Sequence, residues 1–123
     1  MSDKTKNIIG WIAQVLMIAG FAFFAITKLT GNPEVVANFE RWGYPDGFVY
    51  LIGAVEAIGA LLLFTPRTAG YGALLLIGTM FGAVATHLMK GEAAFIGMPL
   101  IFTAILAVVL WARKPAILQR IST

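Results

Sequence analysis

Apolar and polar positions alternate along this chain in blocks. Four long apolar runs, over residues 8–28, 48–64, 68–89 and 94–112, are separated by short polar patches. A helix needs about 17–25 residues to cross the hydrocarbon core of a bilayer. Each run therefore predicts a transmembrane helix, the second at the short limit. The pattern predicts an all-α polytopic membrane protein, a four-transmembrane-helix bundle forming one domain over residues 1–123. Lys4 and Lys6 before the first run resemble the start of a signal peptide. The run is longer than a signal's apolar region, however, and no Ala-x-Ala site follows it, so it reads as a retained span.

The polar stretch between the first two runs has a pattern of its own. Asn32 suits a helix N-cap, Pro33 the first helical position, and Glu34 the positive end of the helix dipole. Val35, Val36, Phe39 and Trp42 then share one stripe. Gly43 ends the helix, and Tyr44-Pro45-Asp46-Gly47 makes a turn. The prediction is a short helix lying at the membrane interface, with Trp42 and Tyr44 at headgroup level. A lid over the mouth of the bundle is the alternative. Thr65-Pro66-Arg67 is so short a connection that the second and third helices must be antiparallel neighbours. The tail from Lys114 mixes basic and apolar residues and suits the surface of a leaflet.

Composition sharpens this picture. Of the 123 residues, 59% are hydrophobic and 12% charged, against about half and about a quarter in soluble domains. Four spans place both termini and the middle connection on one side. That side carries Lys4, Lys6, Arg67, Arg113, Lys114 and Arg120; the other carries Lys28, Arg41 and Lys90. The excess predicts cytoplasmic termini; the expected location is a bacterial cytoplasmic membrane. There is no cysteine, which excludes disulfides and thiolate metal sites. One histidine, His87, excludes a cage of several imidazoles. A net charge of +3 does not point to nucleic acid. Small residues are placed for close helix contact: Gly53, Ala57, Gly59 and Ala60 in the second run, and Gly78 and Gly82 in the third.

The candidate chemistry lies in the polar residues at depth. Glu56 falls near the middle of the second run, about 12–14 Å from either end at 1.5 Å per residue. A charge at the bilayer centre costs about 2.5–3.5 kcal/mol on insertion scales, so such residues mark function by default. Gly53, Gly59 and Ala60 share its face, which aims it at a neighbouring helix. It is a proton-accepting carboxylate or a partner for a polar ligand head; otherwise it is a neutral carboxyl that fixes packing. Gln14, Thr79 and Thr103 can join it in a polar layer, although each threonine can equally bond its own helix backbone. Lys28 and His87 sit near the outer ends of the first and third runs. Lys28 either snorkels to the headgroups or, with Gln14 on the same helix face, lines a cavity. His87 is suited to proton transfer near neutral pH, or to a hydrogen bond at the interface. Glu56, His87, Lys28 and Gln14 are thus the ligand-binding or proton-linked candidates, with no catalytic residue or metal ligand assigned.

Several segments together resemble the DoxX family, in its DoxX-like branch, over residues 8–112. They are Lys28-Leu29, Trp42-Gly43-Tyr44-Pro45, the stretch from Gly53 through Glu56 to Gly59-Ala60, Ala85-Thr86-His87-Leu88 and Lys90-Gly91-Glu92. The resemblance implies four membrane helices and a membrane-embedded partner of a redox system. It carries over no catalytic residue. Nor does the chain supply haem-ligating histidine pairs or a Gly-x-Gly-x-x-Gly cradle.

The expected function is an accessory, non-catalytic membrane subunit of an oxidoreductase complex. It would hold no covalent cofactor but a quinone near Glu56 and His87, beside Phe21, Phe23, Phe24 and Phe81. The alternative is a structural or chaperone-like module that binds another membrane protein or a second copy. A transporter ranks last, since the chain shows no inverted repeat or broken helix.

Overall fold

The computed structural model describes residues 2–122, and the side chains of residues 2–119. Arg120, counted above with the basic side, has its side chain outside that range. The described residues form helices α1 (Asp3–Leu29), α2 (Pro33–Arg41), α3 (Phe48–Leu62), α4 (Pro66–Met89), α5 (Gly97–Ala112) and α6 (Ala116–Ser122), with a 3-10 turn at Ala93–Phe95. No strand occurs among them.

Local chemistry sets the ends of these elements. The Ser2 hydroxyl accepts the Thr5 amide at 3.1 Å and opens α1, five residues before the apolar run begins. Asn32 Oδ1 accepts the amides of Glu34 and Val35 at 3.0 and 3.3 Å, and Pro33 occupies the first turn of α2. The expected turn follows, with Gly43 and Gly47 both at φ 85°, a conformation that costs glycine alone nothing.

α1 packs against α3 and α5, and α4 packs against the same two, so the four longer helices close a ring. The core inside it is made of Met17, Phe21, Leu63, Leu76, Leu106 and Val109, with small residues Ala13, Ala69 and Ala73 between them. Large apolar side chains cover the outside instead, among them Ile12, Phe23, Leu61, Phe81 and Met89, each more than half exposed. Such a surface belongs in lipid. Three segments are long and apolar enough to cross a membrane: Asp3–Leu29, Pro66–Met89 and Ala93–Ala112. The second predicted span is only the 15-residue α3, about 22 Å long at 1.5 Å per residue.

Small residues bring these helices together, though not all of those expected. A Cβ on Gly53 would stand 2.8 Å from the Lys28 Cβ, so α1 and α3 approach closely there. A Cβ on Gly72 would stand 2.8 Å from the Gly59 carbonyl oxygen, so the backbones of α3 and α4 approach closely there. Among the described residues, nothing lies within 4 Å of a Cβ built on Gly78 or Gly82, so neither serves a contact there. The helix turns its Ala69, Gly70, Gly72 and Ala73 inward, which leaves the later glycines on the outside.

Candidate functional site

The tight α1–α3 crossing at Gly53 fixes what happens one turn further along α3. It brings Lys28, near the end of α1, over Glu56. The ammonium lies 2.9 Å from Glu56 Oε1, and the two side chains are 15% and 3% exposed. Lys28 therefore turns inward and does not reach for the headgroups. Its Nζ also sits 5.3 Å from the centre of the Phe24 ring, a favourable cation–π distance. Phe24 in turn packs on Phe21 and Phe102, with centroids 5.7 and 5.2 Å away. The ion pair is thus walled on one side by aromatic rings. Glu56 Oε1 has no geometrically satisfactory hydrogen bond among the described residues; its close contact with Lys28 is charge against charge.

Gln14 does not join this pair. Its side-chain amide donates to the Leu63 carbonyl at 2.8 Å, and its Oε1 accepts Arg113 Nε at 2.6 Å. Leu63 lies seven residues beyond Glu56, about 10 Å along the helix. Gln14 is fully buried, yet it works at the other end of α3, where the last carbonyls of that helix lack partners of their own. Arg113 extends the knot to the Asn7 carbonyl at 3.2 Å and lies over the Trp11 ring. Thr79 and Thr103 donate to Leu76 and Pro99 of their own helices at 2.8 and 2.7 Å. No polar layer forms from Gln14, Thr79, Thr103 and Glu56.

His87 belongs to a third cluster, built around Glu92. The Glu92 carboxylate is bonded by Arg41, accepts Trp42 Nε1–H at 3.0 Å, and lies 3.1 Å from His87 Nδ1. Trp42 also meets the His87 ring edge-on, with centroids 5.4 Å apart. Arg41 foremost, then Trp42 and His87, hold the Glu92 carboxyl below its ordinary value despite partial burial. A second tie lies alongside. The Thr86 hydroxyl donates to the Gly82 carbonyl at 2.8 Å, so Tyr44 donates to Thr86. Together these bonds strap the α2 segment to the end of α4.

Among the four candidates, then, Lys28 and Glu56 meet each other, Gln14 meets Arg113, and His87 meets Glu92. Arg113, Arg41 and Glu92 were not singled out from the sequence as site residues. A signal existed for Glu92, which follows His87 by five residues across the glycine-containing end of α4.

Comparison with known proteins agrees with the membrane reading. A curated relative from Bacillus subtilis (strain 168), named "Putative oxidoreductase CatD", is 31% identical over 83 residues. The match takes in 66% of this chain and 60% of that protein, so the chain spans about 60% of the length of the curated relative it matches. No solved structure matches. The model of the DoxX-like family matches residues 12–109, which include α2, α3, α4, most of α1 and α5, and the Lys28–Glu56 pair. With its apolar helices, this is an integral membrane protein, and it belongs to the DoxX-like family.

Proposed function

We propose that this protein is a four-crossing accessory subunit of a membrane redox system, and that the Lys28–Glu56 pair is its polar site. The observation that carries this reading is the pair itself: two opposite charges buried among aromatic rings, with one carboxylate oxygen lacking a proper hydrogen bond. The name of the Bacillus subtilis relative supports the redox association. In this reading α3 crosses as a short helix shielded by α1 and α4. α2 lies along the outer interface. The basic excess beside both termini keeps them in the cytoplasm of a bacterial cell.

A quinone is the ligand class that suits such a site. When bound it supplies two-electron, two-proton chemistry. Lys28 has a donor for a carbonyl oxygen, Glu56 has a carboxylate that can exchange a proton, and Phe24 has an apolar ring face beside them. Gln14 and His87 act as supports, fixing the two ends of the helices that hold the pair. The test is extraction in mild detergent, followed by native mass spectrometry and titration with a short-chain quinone. Glu56→Gln should keep the fold and lose the quinone. Equal binding by wild type and Glu56→Gln would remove the site, and no binding by either would remove the quinone.

A second role rests on the outward face of α4. Gly78 and Gly82 are open, although every other interior glycine of α1, α3 and α4 meets a neighbour. That face suits a membrane protein partner or a second copy of this chain. Replacing both glycines with leucine should abolish association measured by crosslinking in membranes, while leaving quinone binding unchanged.

A further inference from the structure

We infer that a groove between α1 and α5 is a binding site for one acyl chain of an anionic phospholipid, whose phosphate is held by Lys6. The groove has a volume of ≈ 230 Å³ and is lined by Ile9, Ile12, Ala13, Leu16, Ile105 and Val108. It exists because Ala13, buried among larger neighbours, is too small to fill the space between the two helices. No polar side chain lines it, so its occupant there is hydrocarbon.

What distinguishes this groove from ordinary lipid-facing surface is its end. One turn below Ile9 on α1 stands Lys6, and one turn beyond Val108 on α5 stands Trp111. The Lys6 ammonium lies 5.1 Å from the centre of the Trp111 ring. Lys6 forms no ion pair among the described residues, so its charge is available. Arg113 lies over Trp11 at the same end of the protein, 5.6 Å from its centre. Trp111 beside Lys6 marks the level of the headgroups. From Lys6 to Leu16 is ten residues, about 15 Å along the helix, which is half of a hydrocarbon core of about 30 Å. The groove itself runs from Ile9 to Leu16, about 10 Å, and with Lys6 at its mouth the two together span about one leaflet. An acyl chain fits that span, and a phosphate complements the lysine at its mouth. This conclusion does not depend on which leaflet faces the cytoplasm or on what Glu56 binds.

The experiment is native mass spectrometry of the full chain in non-ionic detergent. Phosphatidylglycerol and phosphatidylcholine of identical acyl chains are the competing probes. Wild type should retain one phosphatidylglycerol in preference to phosphatidylcholine. A lysine near a membrane surface contributes about a fivefold preference for anionic lipid. Lys6→Gln should lose roughly that factor, and Lys4→Gln, at an exposed position away from the groove, should lose much less. Val108→Trp, which puts a ring into the groove from a partly exposed position, should lower retention of both lipids. Circular dichroism confirms that each variant keeps its helices. Equal retention of the two lipids by wild type would overturn the inference. So would equal losses in Lys6→Gln and Lys4→Gln, or a second copy of the chain found in the groove in place of lipid.

Discussion

Lys28→Met is the most informative perturbation of the buried pair. The methionine keeps the length and the contact with Phe24 but removes the ammonium that lies 2.9 Å from Glu56 Oε1. Glu56, with 3% of its side chain exposed, then has no counter-charge. In a soluble protein, stranding one member of a buried pair costs about 3–5 kcal/mol. Here the unfolded chain lies in detergent micelles from which a carboxylate can reach water, so the cost of returning it to depth, about 2.5–3.5 kcal/mol, is the better guide. Glu56→Gln should cost less, about 1 kcal/mol, because Lys28 sits near a helix end and its stem can carry the charge to the headgroups. The double variant should return to within about 1 kcal/mol of wild type, since two neutral side chains carry no desolvation penalty. The assay is reversible unfolding in mixed micelles with sodium dodecyl sulfate, followed by tryptophan fluorescence. A Lys28→Met cost below about 0.5 kcal/mol, or a double variant no better than Lys28→Met, would show that the pair does not hold a charge in the membrane.

Three further predictions follow from other contacts. Gly53→Ala forces a Cβ to within 2.8 Å of Lys28 Cβ and should cost about 1–3 kcal/mol in the same assay by overpacking; an unchanged midpoint would mean that α1 and α3 are not held at this distance. Gln14→Leu strands the Leu63 carbonyl and takes one acceptor from the Arg113 guanidinium and should cost about 1–3 kcal/mol, with Arg113→Met in the same background adding little; additive losses would refute the shared knot. The Glu92 cluster should loosen in acid. Its carboxyl ionises below its ordinary 4.5 in the folded protein, so its contribution is complete above that value and is lost as the pH falls through the lowered one. Trp42 emission against pH should show this transition, and Glu92→Gln should abolish it; a transition that survives the substitution belongs to another group.

The helices were legible because their signals are local. Long apolar runs, the Asn32-Pro33-Glu34 start and the glycine-containing turn before α3 each depend on neighbours within a few residues. Pairing between helices was not legible in the same way. Glu56 was recognisable as facing another helix, since Gly53, Gly59 and Ala60 share its face, but which cation met it depended on the depth at which α1 crosses α3. Gln14 was assigned to the mid-membrane because it lies well inside the first run. The structure has α3 ending at its level, so a residue that looks central on one helix marks the end of its shorter neighbour. Gly78 and Gly82 form a recognisable contact motif, and nothing in their spacing says whether the contact lies within one chain or between two.

The knot of Gln14, Leu63 and Arg113 has a consequence for how the protein is made. Gln14 and Arg113 are 99 residues apart, and synthesis at roughly 5–20 residues per second separates them by about 5–20 seconds. Lys28 meets Glu56 far sooner, once α3 has emerged. The first helix can therefore pair with the third element early, while its own buried amide waits for an arginine still inside the ribosome. This knot cannot form before residue 113 has been made, and a nascent chain stalled before it should leave the α1–α5 seam open to the insertion machinery or to lipid.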